Sequence, residues 1–270
     1  NGYNKKKLIA SGWGVIEEYL SKENKSKFGI QDLEISHVWT QNILLSKNIS
    51  ETCYIKNICN DFTDMIGKVD GVIIARDDWK SHYRLSNKFL KKGIKVFIDK
   101  PLTLDKEELK FFTKYLKNGT LMSCSGLRFS TELNNLKEKN NLKDLKLIIA
   151  TIHKDFEKYG IHLLEAIFSM GKKYTKPLKI VKIPGNKQHY YIKYKDNIDL
   201  YLNCLGNVDK TINLKLFSAK DNFDINLFDN FGAFKKTLEV FKQMIISKKC
   251  QINPIETINL INLMIGGSKL

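Results

Sequence analysis

Arginine is nearly missing from this chain. Of 45 basic residues only Arg76, Arg84 and Arg128 are arginines; the rest are lysines scattered from end to end. A formal net charge of +16 would by itself suggest a nucleic-acid partner. Forked recognition of bases and phosphates favours guanidinium groups, however, and diffuse lysine makes a solvated surface, so no nucleic-acid partner is expected. Long apolar runs are lacking too, as is a leader with a charged start and an apolar middle, so no membrane partner is expected and the protein is expected in the cytoplasm. The chain opens on Asn1 and not on methionine, which leaves room for residues upstream. The cysteines, Cys53, Cys59, Cys124, Cys204 and Cys250, are odd in number and hold no C-x-x-C pair. That argues against a disulfide framework and a zinc site, and no metal is expected. The thiols read as small buried residues in a reducing compartment. Internal repeats and low-complexity tails are also absent.

What is present is an ordinary globular composition, 43% hydrophobic and 27% charged over 270 residues, enough for one large core or two modest ones. The stretch Val69–Pro101 organises it. Val72-Ile73-Ile74 is a β-branched run of the kind found in a strand buried on both faces. Asp77-Asp78 ends it and can cap a helix in which Tyr83, Leu85, Phe89 and Leu90 share a face. Lys91-Lys92-Gly93 closes that helix, and Ile94 and Val96 to Ile98 resume extended structure. Strand, helix and strand in about thirty residues predict a parallel βαβ unit. Ligands of such sheets sit at the carboxyl ends of the strands, which brings Ala75-Arg76-Asp77-Asp78 beside Asp99-Lys100-Pro101.

Around this unit the pattern predicts a strand over Leu33–Trp39, a helix capped by Asp61 or Thr63, a helix over Thr103–Lys117 and a strand over Leu121–Arg128. Thr40-Gln41-Asn42 follows the first of these strands, where dinucleotide folds carry an acid for the ribose hydroxyl. With no carboxylate to repel a 2′-phosphate, NADP is as admissible as NAD; a weakened cofactor site is the simpler alternative. His37 reads as a packed or edge histidine. Near the start, Ser11-Gly12-Trp13-Gly14 lies between Leu8-Ile9-Ala10 and Val15-Ile16, with Glu17 where a third glycine would stand. It is either a phosphate turn after a short strand, or helix and loop in a chain whose first strand lies upstream.

Farther along, Leu145–Ile152 reads as a strand, followed by strand-like runs at 178–183, 190–194, 198–202, 212–217 and 223–228. Turns at Pro184-Gly185-Asn186, Lys195-Asp196-Asn197 and Leu205-Gly206-Asn207 predict a largely antiparallel sheet. Amphipathic helices are expected over Phe231–Ser247 and Pro254–Ile265. Between the first two strands, His162 and Glu165 stand three apart on one helical face. Arg128 either contacts a substrate phosphate or carboxylate, or is a structural ion-pair partner.

The Val69-Asp70, Val72–Ile74, His82, Gly93, Val96 and Lys100-Pro101 pattern, with Asp99 in place of a usual Glu, resembles the glucose–fructose oxidoreductase / inositol dehydrogenase / rhizopine-catabolism (Gfo/Idh/MocA) family. Gly160, His162 and Glu165 match that family's D-x-G-x-H-x-x-D/E motif, with Lys158 where it keeps its first Asp. Asn1-Gly2-Tyr3, Gly12-Trp13, Val15-Ile16 and Tyr19-Leu20 match one sub-branch and favour the upstream-strand reading. The resemblance implies an α/β fold: a Rossmann-like parallel-sheet domain over residues 1–120, and an α+β substrate and oligomerisation domain over 121–270 built on a largely antiparallel open sheet. It implies an NAD(P)-dependent oxidoreductase acting on a hydroxyl of a sugar, sugar derivative or cyclitol. Lys100 would stabilise the reacting oxygen, His162 act as base and Tyr159 relay the proton. Thr40, Ala75, Arg76, Asp77, His82, Asp99 and Lys100 would line the cofactor, NAD or NADP, and Arg128 and Glu165 the substrate. A homo-oligomer through the second sheet is implied. The alternative is a catalytically degenerate member that binds a sugar or a protein.

Overall fold

In a computed structural model of the chain, residues 2–138, 142, 144–195 and 197–270 are described. Asn1 and Asp196, both named above, lie outside the described residues.

The chain begins with two short helices, α1 (Lys5–Ala10) and α2 (Gly14–Leu20), joined by the turn through Gly12. Leu8-Ile9-Ala10 is therefore helical, started by the Asn4 side chain accepting from Lys7 N. A two-residue strand β1 (His37–Val38), helix α3 (Ile43–Cys53) and strand β2 (Asn57–Ile58) follow. The strand predicted over Leu33–Trp39 shrinks to β1 because it is paired along one edge only, in parallel to β2. The segment after Asp61 is a single 3-10 turn, Phe62–Met65, closed by a reciprocal bond between Asp61 and Asp64.

The predicted βαβ unit follows: β3 (Gly71–Ile74), α4 (His82–Lys91) and β4 (Lys95–Ile98), then α5 (Lys106–Lys117) and β5 (Leu121–Ser123). These strands form a parallel sheet in the order β3-β4-β5. Val72, Ile74, Val96 and Ile98 are buried on one face of this sheet; on the other face Phe97 is buried and Ile73 only half-buried, so the expected covering of β3 on both faces is not found. Leu85, Phe89 and Leu90 form the buried face of α4, and Leu109, Phe112 and Leu116 that of α5, which Asp105 caps. Gly93 takes φ +75° and lets the chain leave α4 for β4. The strand predicted to reach Arg128 stops at Ser123, because the Ser125 hydroxyl accepts from Leu127 N and winds residues 126–129 into a 3-10 turn.

After α6 (Thr131–Glu138) come β6 (Leu145–Ile152), α7 (Ile161–Phe168), β7 (Pro177–Ile183), β8 (Gln188–Tyr194), β9 (Asp199–Cys204), β10 (Ile212–Ser218) and β11 (Asn222–Asn226). The sheet order is β11-β10-β6-β9-β8-β7; its one parallel pair among the described residues is β6 with β9, and the rest are antiparallel. Alternate residues of β6, β8, β9 and β10 are buried, and α7 and the last helix, α9 (Pro254–Ser268), pack against one another beneath that covered face. Helix α8 (Asn230–Ser247) returns to the first sheet, where the Phe241 ring lies 5.9 Å from that of Phe97.

Candidate functional site

Three parallel strands end at one edge, and each delivers a polar segment there: Arg76–Asp78 after β3, Asp99-Lys100 after β4, Ser125 after β5. Lys100 is mostly covered, its side chain 14% exposed, and its ammonium lies 3.5 Å from Asp99 and 3.8 Å from Asp77. Burial pushes the Asp99 carboxyl up and the Lys100 charge pulls it back. Arg76 is held by Asp78 and donates to Gln41 Oε1 at 2.6 Å, so a guanidinium is fixed against the end of β1. Asp78 drops to about 2, first through the Ser81 hydroxyl and then through Arg76.

His162 comes from the other half of the chain. It sits in the first turn of α7, where a π-helical turn over Phe156–Gly160 leads in, capped by Asp155. Its Nδ1 lies 2.7 Å from Ser125 Oγ, which pins the ring over the carboxyl edge of the parallel sheet. Burial, then the Lys100 ammonium, then His153, lower its pKa to about 3. Part of the ring stays accessible, and water recovers some of that cost; a neutral imidazole at pH 7 is the firm consequence. Lys100 and His162, 62 positions apart in the chain, thus feel each other across one site. Tyr159 packs edge-on to His162, ring centres 5.4 Å apart, and to His153 at 4.9 Å.

Other residues picked from the sequence have different surroundings. His82 is fully buried, with Nδ1 3.0 Å from the Leu102 carbonyl and Nε2 3.1 Å from that of Arg76. Both nitrogens are turned to main-chain carbonyls, and the ring N–H donated there ties the β3 end to the segment after Pro101, so the ring is committed to the main chain and not to a cofactor. Arg128 and Glu165 face each other, Nε to Oε2 at 2.6 Å, and the Arg128 fork also holds Glu256 at 3.0 Å. Burial opposes the guanidinium charge, and Glu165 and Glu256 outweigh it. This is the ion-pair alternative for Arg128, completed by a carboxylate 128 positions away that the sequence did not single out. The Thr40 hydroxyl donates to the Asn42 carbonyl and meets Ser46 Oγ at 2.9 Å, so it shapes its own loop. Ala75 and Asp77 are exposed at the edge.

A cavity of about 880 Å³ opens beside this edge; Ala75 and Arg76 line it, whereas Lys100, Ser125 and His162 do not. Trp39, Thr40, Gln41, Ala75 and Arg76 line one end, and it runs back between β1 and β3 to Asp70 and Lys242. Among the described residues no strand pairs with the cavity-facing edge of either β1 or β3. Gly12 lies in the turn between α1 and α2 and Gly14 opens α2, so neither follows a strand among the described residues. No group of His, Cys, Asp and Glu among the described residues could hold a metal ion, and no described helix is long and apolar enough to cross a membrane.

Residues 12–124 match the model of an oxidoreductase family with an NAD-binding Rossmann fold, Gfo/Idh/MocA. Among solved structures, the chain is similar to apo scyllo-inositol dehydrogenase from Lactobacillus casei, with a TM-score of 0.76 and 14% identity over 94% of this chain and 92% of that one. It is similar to myo-inositol 2-dehydrogenase from Lactobacillus plantarum, with a TM-score of 0.70 and 14% identity over 87% and 88%. It is also similar to UDP-N-acetylglucosamine 3-dehydrogenase from Acidithiobacillus ferrooxidans, with a TM-score of 0.70 and 11% identity over 85% and 87%. At these identities the likeness shows the shared fold. No sequence among curated proteins matches the chain.

Proposed function

This chain is, over residues 12–124, a member of the Gfo/Idh/MocA oxidoreductases, and from that premise we propose that it is an NAD(P)-dependent oxidoreductase interconverting a hydroxyl and a carbonyl on a sugar, sugar derivative or cyclitol. The observation that supports this is His162 anchored by Ser125 at the carboxyl edge of the parallel sheet, the edge on which Lys100 stands after β4, with the Lys100 charge among the causes that depress it. The nicotinamide, when bound, supplies or takes the hydride. The chain must bind the substrate oxygen, hold its proton and stabilise its developing charge. An ammonium and an imidazole on one oxygen do that. Residues 1–120 would carry the cofactor and 121–270 the substrate and a subunit contact. Tyr201 and Tyr191, rings 5.4 Å apart on the second sheet, fit a homo-oligomer contact, with Tyr201 39% exposed.

NADP fits the adenosine end better than NAD. No acid follows β1, and the Arg76 guanidinium is held against Gln41, where a 2′-phosphate would find a cation. A second reading, sugar or protein binding without turnover, draws support from the glycine turn lying between helices and from Lys158 in the place of the family's Asp.

Lys100→Ala tests the first reading. NADPH oxidation with a keto-inositol or a keto-sugar nucleotide should be abolished while the melting temperature stays nearly unchanged. Retained turnover, or a collapse in melting temperature, would make Lys100 structural. Trp39 lines the cavity, and failure of NADPH to quench tryptophan fluorescence would leave the second reading.

A further inference from the structure

Ser125 is 1% exposed, and its oxygen already accepts the Leu127 N–H at 3.2 Å. Its O–H therefore needs an acceptor inside the protein. Among the described residues the one within reach is His162 Nδ1, at 2.7 Å. If Nδ1 carried the proton instead, it would point an N–H at Ser125 and strand the serine O–H without a partner. Stranding a buried donor disfavours that arrangement by roughly tenfold or more. The arrangement that satisfies every group has Ser125 O–H donating to Nδ1, the ring proton on Nε2, and Nε2 left for a ligand. Among the described residues no carboxylate is hydrogen-bonded to the His162 ring: Lys158 is exposed, the Asp155 carboxylate is taken up by Lys158 N, and Glu165, which accepts from the Ser125 main chain, is held by Arg128.

We propose that Ser125 is a positioning residue that holds His162 as the Nε2–H tautomer. The site then meets its substrate with two donors for one oxygen, that N–H and the Lys100 ammonium, and is preset for the carbonyl form, a keto-sugar or keto-cyclitol. This deepens the oxidoreductase reading and rests on it. In the reductive direction the carbonyl carbon gains the hydride that the nicotinamide supplies, and the oxygen gains a proton from Lys100 Nζ. Lys100 is left as the amine and regains its proton from water. His162 keeps its proton throughout and polarises the carbonyl as a neutral donor, in place of the base role the sequence suggested.

Nitrogen-15 NMR of histidine-labelled protein at pH 7 reads the tautomer without substrate. The wild type should show His162 protonated at Nε2, and Ser125→Ala should shift it toward a mixture. With keto-inositol and NADPH, Ser125→Ala should lower kcat by about 10- to 100-fold with a smaller change in KM, and Ser125→Thr should restore both tautomer and rate. A wild-type ring protonated at Nδ1 overturns the proposal, and that measurement stands even if the alanine variant fails to fold. An unchanged tautomer and kcat in Ser125→Ala overturn it equally. The expected tautomer with no turnover on any keto substrate supports the role of Ser125 and overturns the oxidoreductase reading, so the two failures are separable.

Discussion

A histidine kept neutral by its surroundings makes the folded protein sensitive to acid. His162 falls from its ordinary 6.5 to about 3. Below pH 6.5 the unfolded chain protonates this ring while the folded chain does not. The unfolded state then binds more protons, so stability is present above 6.5 and is lost as pH falls toward 3. Between pH 7 and pH 4.5 the loss from this one group is about 2 kcal/mol. Urea unfolding of the wild type and His162→Asn at both pH values isolates it, since the remaining histidines contribute to both proteins. The asparagine can still accept from Ser125 and does not titrate. The wild type should lose about 2 kcal/mol more than the variant on acidification. Lys100→Met, which removes the second cause of the shift, should raise the NMR titration midpoint of His162. Equal losses in wild type and His162→Asn, or an NMR titration of His162 near 6.5, would refute the reasoning.

Arg128→Met leaves Glu165 buried against Glu256 without its cation, and unfolding free energy by urea should fall by about 3–5 kcal/mol. Gly267→Ala drives a methyl to within 2.5 Å of the fully buried Phe156 ring, and calorimetry should show a loss of about 1–3 kcal/mol from overpacking. Arg76→Ala should weaken NADPH binding, followed by tryptophan fluorescence, by about 10-fold or more while leaving NADH binding nearly as it was; equal losses for both would remove Arg76 from the 2′-phosphate.

Much of the fold was legible because its signals are local. Val72–Ile74 and Leu145–Ile152 are β-branched runs with buried faces, and the α4 and α5 faces repeat at helical spacing. The limits of β1 and β5 were not legible, since they depend on whether a neighbouring strand is present and on one serine side chain turning the backbone. In the site, Lys100 and His162 were found through a family pattern; nothing local announces that they meet. Ser125 was passed over because a serine in a run of small residues carries no chemistry until a ring nitrogen is set beside it. His82 matches the family pattern for a cofactor contact, yet two backbone carbonyls far apart in sequence decide its role. The two roles of Arg128 are indistinguishable in sequence for the same reason: Glu256 is brought to it only by the last helix.

The gap between β1 and β3 has a mechanical consequence. Asp99 N reaches Ile74 O, and Cys59 N reaches Val38 O, so by the alternation of a parallel ladder Ile73 and His37 direct their peptide groups toward the cavity. Among the described residues no ladder ties the Thr40 side of the cleft to the β3 side. A slide of one side past the other breaks side-chain contacts and spares main-chain bonds, so the width of the cleft is a soft coordinate, and the grip on a long ligand lying across it is adjustable in a way that a continuous sheet would forbid.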